Sequence, residues 1–174
     1  MLDRLPVVIE PLGFAERGKR LVGALKVSEF IRLSGELLDN SGVVEIDFSF
    51  DKEGRLAIVS GEIKANLNLQ CQSCLGQFVL SINRQFKLGL VSSMEQADRL
   101  ASDCEPLILN NKKISLNELV EDELLLALPD FPRHEYECSE MSKGKELEVN
   151  NDEQQQMNSN NPFSVLAELK NTGD

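Results

Sequence analysis

The chain has 174 residues, of which 41% are hydrophobic, and its formal net charge at neutral pH is −11. This length predicts one domain with a tail, and the longest apolar run, residues 124–128, is far shorter than the roughly 20 residues of a membrane helix. Excess negative charge repels phosphate, which argues against a protein that grips nucleic acid over a broad face.

The negative charge is distributed unevenly along the chain. Residues 115–174 hold 14 acidic and 4 basic side chains, whereas residues 1–114 hold 15 acidic and 14 basic ones. The last third therefore carries nearly all of the net charge and is suited to attract basic partners.

The N-terminal apolar stretch is too short for a signal peptide. It covers residues 5–9 and contains Pro6, so we expect a soluble cytoplasmic protein. The four cysteines are expected to stay reduced in that compartment, which favours metal binding or redox chemistry over structural disulfides.

The first forty residues are predicted to hold one strand and one helix. Residues 1–12 contain Pro6 and Pro11 and are expected to be extended, because proline opposes a helix. A short strand is predicted at 19–27, and a helix capped by Ser28 is predicted at 28–38.

A β-meander is the strongest pattern in the sequence. Residues 43–50, 55–70 and 77–91 alternate between apolar and polar side chains, as antiparallel strands with one buried face do. The second and third of these strands are predicted to form a long hairpin whose turn carries Cys71 and Cys74.

A further helix is predicted beyond the meander, after a loop or short helix at 92–104 and a short strand at 106–109. Ser115 and Glu118 form a capping-box pattern, in which each side chain accepts from the other's backbone N–H. The helix should therefore span 116–128 and end before the proline that follows.

The residues after this helix are predicted to be extended and then flexible. Prolines fix 129–138, whereas 139–160 is too polar to offset the entropy of ordering and is predicted to be a linker. An N-P-F sequence then begins a short C-terminal helix at 161–170. We therefore predict an α+β fold in one domain, 1–138, with an antiparallel meander and long central hairpin packed against two or three helices.

Cys71 and Cys74 have the spacing at which two thiolates in a turn hold one tetrahedral metal ion. The only histidine, His134, and Cys138 would complete a Cys3His set and tie the segment after the helix to the hairpin tip. The sequence establishes no cofactor, and zinc is the candidate. Two alternatives stay open: Cys71 is a strand residue and the other three are incidental, or the pair is redox-active, although strands flank it on both sides.

Charged side chains give two further candidate sites. A candidate contact surface for a basic partner lies on the predicted helix, although a solvated face is the simpler interpretation; it comprises Glu118, Glu121, Asp122 and Glu123. A candidate RNA-contact region lies near the N-terminus, although plain surface is again simpler; it comprises Arg17, Lys19, Arg20, Lys26 and Arg32. No phosphate loop or nucleophile motif is found, so we predict no catalytic residue and no enzyme.

Three motifs, in this order, closely resemble the YceD family, the large ribosomal RNA subunit accumulation proteins. They are C-Q-S-C at 71–74, V-E-D-E-L-L-L-A-L-P at 120–129 with His134 and Cys138 behind it, and N-P-F-S-V-L-A-E-L-K at 161–170. The resemblance covers almost the whole chain.

The resemblance implies a non-enzymatic factor that supports synthesis, processing or stability of large-subunit ribosomal RNA. Together with the acidic last third, it leads us to expect a large-subunit ribosomal protein or pre-ribosomal particle as partner. Ribosomal RNA is then contacted directly or through protein, and no membrane is involved. A hypothesis from another class is a small zinc- or thiol-dependent protein that acts through Cys71 and Cys74.

Overall fold

A computed structural model describes residues 5–138 of the protein. Its seven strands are β1 (Val8–Ile9), β2 (Arg20–Lys26), β3 (Val43–Glu53), β4 (Leu56–Gln70), β5 (Gln77–Val91), β6 (Glu105–Ile108) and β7 (Ile114–Ser115). Its helices are α1 (Pro11–Glu16), α2 (Met94–Ala97) and α3 (Leu116–Ala127). Among the described residues, no helix is long and apolar enough to cross a membrane.

Contacts group the chain as far as Cys138 into one compact unit, which the description below concerns. The predicted linker, 139–160, and the predicted C-terminal helix, 161–170, lie outside the described residues.

Five strands form one sheet in the order β2-β3-β4-β5-β6. Neighbours from β2 to β5 are antiparallel, whereas β6 runs parallel to β5. Strands β1 and β7 pair separately and bring the N-terminal residues to the start of α3. The predicted α+β fold, with its meander and long central hairpin, is confirmed.

One face of the sheet carries the core. Alternate residues of β3 and β4 are buried on it, as the period-two pattern requires. Helix α1 packs against β3 and β4, and α3 packs against β4 and β5. At the first contact Phe14 meets Phe50 edge to face, with ring centroids 5.3 Å apart. Helices α1 and α3 therefore lie over this core. On the opposite face Leu100 and Cys104 pack over Gly89, and Ile58 and Val91 are buried there as well.

The extended lead-in predicted for residues 1–12 is wrong at residues 11 and 12, where α1 begins. Pro11 occupies the first position of α1, where a helix has no use for the N–H that proline lacks. Proline therefore begins this helix instead of preventing it.

The helix predicted at 28–38 is also wrong. Two 3-10 turns, Val27–Glu29 and Leu33–Gly35, occupy this region. The backbone N–H groups of Arg32 and Leu33 donate to a side chain of α3 rather than to carbonyls of their own segment. A tertiary contact thus replaces the helical hydrogen bonds that the local pattern favours.

Gly61 of β4 lies opposite Phe48 on one neighbouring strand and Phe86 on the other. The two rings pack edge to face with their centroids 5.0 Å apart. A Cβ atom at Gly61 would lie 2.5 Å from Cδ1 of Phe48 and 2.8 Å from the carbonyl oxygen of Asp47. Glycine is required here because the aromatic pair leaves no space for a side chain.

We expect Gly61→Ala to lower the free energy of unfolding by about 1–3 kcal/mol, because the added methyl group overpacks the sheet face. Gly35→Ala is the matched control, since no atom lies within 4 Å of a Cβ built there, and it should change that energy by less than about 0.5 kcal/mol. Urea denaturation measures both variants, and equal losses would contradict the packing argument.

Candidate metal centre

The hairpin of β4 and β5 ends in a tight turn at residues 71–76. The N–H of Cys71 donates to the carbonyl of Gly76 at 2.8 Å, and the N–H of Leu75 donates to the carbonyl of Cys71 at 2.9 Å. The N–H of Ser73 also lies 3.4 Å from the sulfur of Cys71. Backbone donors of the turn therefore fix the position of this thiol.

The segment after α3 folds back onto this turn. The N–H of Gln72 donates to the carbonyl of Pro132 at 2.9 Å. The ring of His134 packs against those of Phe78 and Tyr136, with centroids 5.2 Å and 4.7 Å away. These contacts bring His134 beside the hairpin tip, some sixty positions earlier in the sequence.

Cys71, Cys74, His134 and Cys138 form one cluster, in which the ligand atoms all lie within 4.8 Å of one another. The sulfurs of Cys71 and Cys138 are 3.5 Å apart, and the sulfur of Cys74 is 3.4 Å from Nδ1 of His134. In a tetrahedral site with Zn–S bonds of about 2.3 Å, neighbouring sulfurs are about 3.8 Å apart. The cluster thus has the composition and the dimensions of a Cys3His metal site.

The second ring nitrogen of His134 is also suitably placed. Nε2 lies 3.3 Å from the backbone carbonyl oxygen of Gln77. A carbonyl only accepts, so Nε2 carries the proton and Nδ1 keeps its lone pair for a cation. Such a partner on the non-ligating nitrogen is typical of metal-bound histidine.

The thiols of the cluster differ in acidity. Burial opposes ionisation of Cys71, but backbone N–H groups of Cys74, His134 and Ser73 outweigh it and lower the pKa of Cys71 to about 5. Burial and the neighbouring thiols raise the pKa of Cys138 to about 11. Cys71 is therefore a thiolate at neutral pH, and a bound cation would allow Cys138 to ionise beside it.

Burial divides the predicted acidic surface of α3. Glu118 and Asp122 are exposed, whereas Glu121 and Glu123 are buried. The interpretation of all four carboxylates as one solvated contact face is therefore wrong for Glu121 and Glu123. Their side chains hold α3 against the rest of the fold.

The carboxylate of Glu121 accepts from the backbone N–H groups of Arg32, at 2.7 Å, and Leu33, at 3.1 Å. It also accepts from Nε of Arg32 at 3.0 Å. Burial by itself would raise the pKa of Glu121, but these donors outweigh it and lower the pKa. Glu121 is therefore an anchoring group that stays charged inside the protein.

Glu123 anchors the same helix to the sheet. Nε of Arg84, on β5, donates to its carboxylate at 2.6 Å. The sequence did not predict a role for Arg84. The alternation of β5 nevertheless places it on the inward face, between Ile82 and Phe86. A basic residue among the inward-facing apolar residues of a strand indicates that a buried acidic partner lies opposite it.

Two of the predicted RNA-contact residues form ion pairs with carboxylates of this protein at its surface. Arg20 pairs with Asp47, with Nε 2.7 Å from a carboxylate oxygen. Arg32 pairs with Asp122, at 2.7 Å, as well as with Glu121. Neither guanidinium is a free cation for phosphate.

The other three basic residues occupy two separate places. Lys19 and Arg17 lie over the ring of Phe14, at 4.3 Å and 5.8 Å from its centroid. Lys26 is exposed at the opposite end of β2 from these two. The five residues therefore do not make one continuous basic surface.

Comparison of the sequence with known proteins identifies its family. The family model for the large ribosomal RNA subunit accumulation protein YceD matches residues 59–170. A curated relative of that name from Haemophilus influenzae is 31% identical over 170 residues, which cover 96% of this chain and 97% of the relative. The chain belongs to the YceD family. No solved structure matches the chain.

The YceD match includes the candidate metal centre and α3. All four cluster residues lie within the matched residues 59–170, whereas the predicted RNA-contact residues precede them. The resemblance to the YceD family that the sequence motifs indicated is confirmed.

We expect Glu121→Gln to lower the free energy of unfolding at neutral pH by about 1–3 kcal/mol, because its donors then meet a neutral amide instead of a carboxylate. A carboxyl group whose folded pKa is depressed stabilises the fold above its unfolded pKa, and that stabilisation is lost as the pH falls through the folded pKa.

Urea denaturation of the wild type and Glu121→Gln across the acid range measures this linkage. The difference in the free energy of unfolding between the two proteins should be largest at neutral pH. It should shrink as the pH falls below about 4.3, the pKa of glutamate in an unfolded chain. Glu118→Gln, at an exposed position of the same helix, is the control and should show little difference. A difference for Glu121→Gln that is independent of pH contradicts the assignment.

Proposed function

We propose that this protein is a non-enzymatic ribosome-biogenesis factor that supports the accumulation of large-subunit ribosomal RNA. The observation that carries the proposal is the 31% identity, over 96% of the chain, to a relative named for that role. The family match over residues 59–170 supports the same conclusion.

The proposed mode of action is binding of a basic ribosomal protein or of an assembly intermediate that contains one. The acidic last third of the chain favours a basic partner. Contact through protein is favoured over direct RNA contact, because Arg20 and Arg32 are already paired with carboxylates. On α3, the exposed Glu118 and Asp122 remain as proposed partner-contact residues.

We expect depletion of the protein from its host to lower the ratio of large- to small-subunit ribosomal RNA. Quantification of both RNAs measures this, and an unchanged ratio contradicts the proposed function. The tagged protein should also co-purify with a large-subunit ribosomal protein after RNase treatment, as mass spectrometry would show. Loss of that protein on RNase treatment would instead indicate contact through RNA.

We infer that the Cys3His cluster holds zinc as a structural clip. Four protein ligands fill a tetrahedral ion and leave no open position for a substrate, as in structural zinc sites. The clip would join residues 129–138 to the hairpin tip. The composition of the cluster therefore favours a structural role over metal- or thiol-dependent activity at Cys71 and Cys74.

We expect the purified protein to contain stoichiometric zinc, and Cys74→Ala to lose it because three ligands remain. Cys104→Ala is the matched control, since Cys104 is a buried thiol outside the cluster, and it should keep the metal. Elemental analysis of both variants, purified from zinc-supplemented medium, is the measurement. A fully folded wild-type protein without metal would leave the thiols as packing or redox groups.

A further inference from the structure

Large apolar side chains lie exposed in the two segments that form the Cys3His cluster, the turn at 71–76 and residues 129–138. Leu75 is 69% exposed, Phe131 is 68% exposed and Tyr136 is 66% exposed. Leu75 follows Cys74 directly, and Tyr136 is two residues from Cys138. We call these three residues the tip surface. Grouped exposed apolar side chains mark interaction sites more often than single ones do.

Leu75 is held in a backbone conformation that leucine disfavours. Its φ angle is 60°, in the left-handed region that glycine or asparagine adopts at lower cost. Burial of the side chain does not offset that cost, because the side chain faces solvent. The turn uses this conformation, because the N–H of Leu75 donates to the carbonyl of Cys71, but it does not need a leucine side chain. The exposed side chain therefore indicates a role in contact with another molecule.

The ring of Tyr136 is fixed in place although it is exposed. It packs against His134 at a centroid distance of 4.7 Å and an interplanar angle of 31°. His134 in turn packs against Phe78 at 5.2 Å and donates to the carbonyl of Gln77. A held aromatic ring that remains open to solvent is a ready platform for a planar cation such as guanidinium.

The charges around the tip surface are mainly negative. The segment after α3 carries Asp130, Glu135 and Glu137 against Arg133, and the turn at 71–76 has no charged side chain. Within residues 5–138 none of these three acids forms an ion pair. A zinc ion held by three thiolates and a neutral imidazole adds one further net negative charge. Such surroundings repel phosphate and attract cations.

We propose that the tip surface binds an arginine-rich segment of a basic protein. Guanidinium groups stack on Tyr136 and Phe131, the aliphatic stems of the arginines pack against Leu75, and the surrounding carboxylates pair with the charges. This proposal rests on the proposed function, since it names the surface by which the basic partner is held. It adds a contact surface at the hairpin tip to the exposed acids that are proposed on α3.

The chain contains one tyrosine and no tryptophan, so its emission comes from Tyr136 alone when the excitation wavelength is longer than phenylalanine absorbs. The probe is a short synthetic peptide in which arginine and glycine alternate. It is titrated into the zinc-loaded full-length protein at physiological ionic strength. We expect saturable quenching of the tyrosine emission, and tighter binding than for the matching lysine–glycine peptide, because lysine lacks the planar group that stacks on a ring.

Titration calorimetry of variants with the same peptide tests the individual side chains. We expect Leu75→Gly and Tyr136→Ala to weaken binding about tenfold, which corresponds to about 1.4 kcal/mol. Tyr136→Phe should bind as the wild type does, because it keeps the ring. Leu75→Gly removes the side chain at a position whose backbone suits glycine, so its zinc content and unfolding midpoint should not fall below those of the wild type.

Two controls distinguish the tip surface from general attraction to an acidic protein. Ile31→Ala removes another exposed apolar side chain, which is 87% exposed, and the Glu95→Gln and Asp98→Asn double variant removes two exposed acids in and directly after α2. Both should bind the peptide as the wild type does. Equal weakening in the controls and in Leu75→Gly would overturn the proposal, as would unquenched tyrosine emission.

RNA is the competing ligand, and the same readout tests it. A short single-stranded RNA that quenches Tyr136 more tightly than the arginine peptide does would overturn the proposal and assign the surface to nucleic acid. The proposed tip surface and the proposed function can be rejected independently of each other. If depletion lowers large-subunit ribosomal RNA and Tyr136→Ala fully restores it, the biogenesis role stands and the tip surface is not the binding site.

Discussion

The register of β4 against β5 is the constraint on which the rest of this structure depends. Fourteen consecutive residue pairs join the two strands, from Ala57 and Leu90 to Gln70 and Gln77. This pairing turns one face of both strands to the core and ends in the turn that carries Cys71. A slip of one residue would exchange the two faces along the whole hairpin and expose the core side chains. The same register therefore determines both the hydrophobic core and the place at which the thiols meet their partners.

Helix α3 is tied to that hairpin by buried charge as well as by apolar packing. Glu121 satisfies two backbone N–H groups of the segment before β3, and Glu123 meets Arg84 on the inward face of β5. Buried ion pairs add little net stability compared with apolar residues of the same shape, but removing one member leaves a charge without a partner. These pairs thus favour one position of α3 over others. The chain that leaves α3 at its C-terminal end is consequently directed towards the hairpin tip.

This placement connects the candidate metal centre with the proposed function. The segment that supplies His134 and Cys138 also displays Tyr136, so a metal ion at the cluster would fix the surface that is proposed to hold a basic partner. In the proposed role the protein needs no catalytic group. It needs a rigid aromatic and acidic surface, because the entropy lost on binding is smaller when one side is already ordered. The clip and the binding surface are then two consequences of the same loop geometry.

Several elements of this structure follow from short-range patterns in the sequence. These are the meander, whose alternation sets the buried face, the cap of α3, where the hydroxyl of Ser115 accepts from the N–H of Glu118, and the Cys3His set as a candidate ligand group. The three sequence motifs also indicated the YceD family. Long-range contacts, in contrast, prevent a helix at residues 28–38 and bury two of the four acids on α3. The reason is physical: the carboxylate of Glu121 and the N–H groups it captures are almost ninety residues apart in the chain, and no local pattern records a contact of that separation.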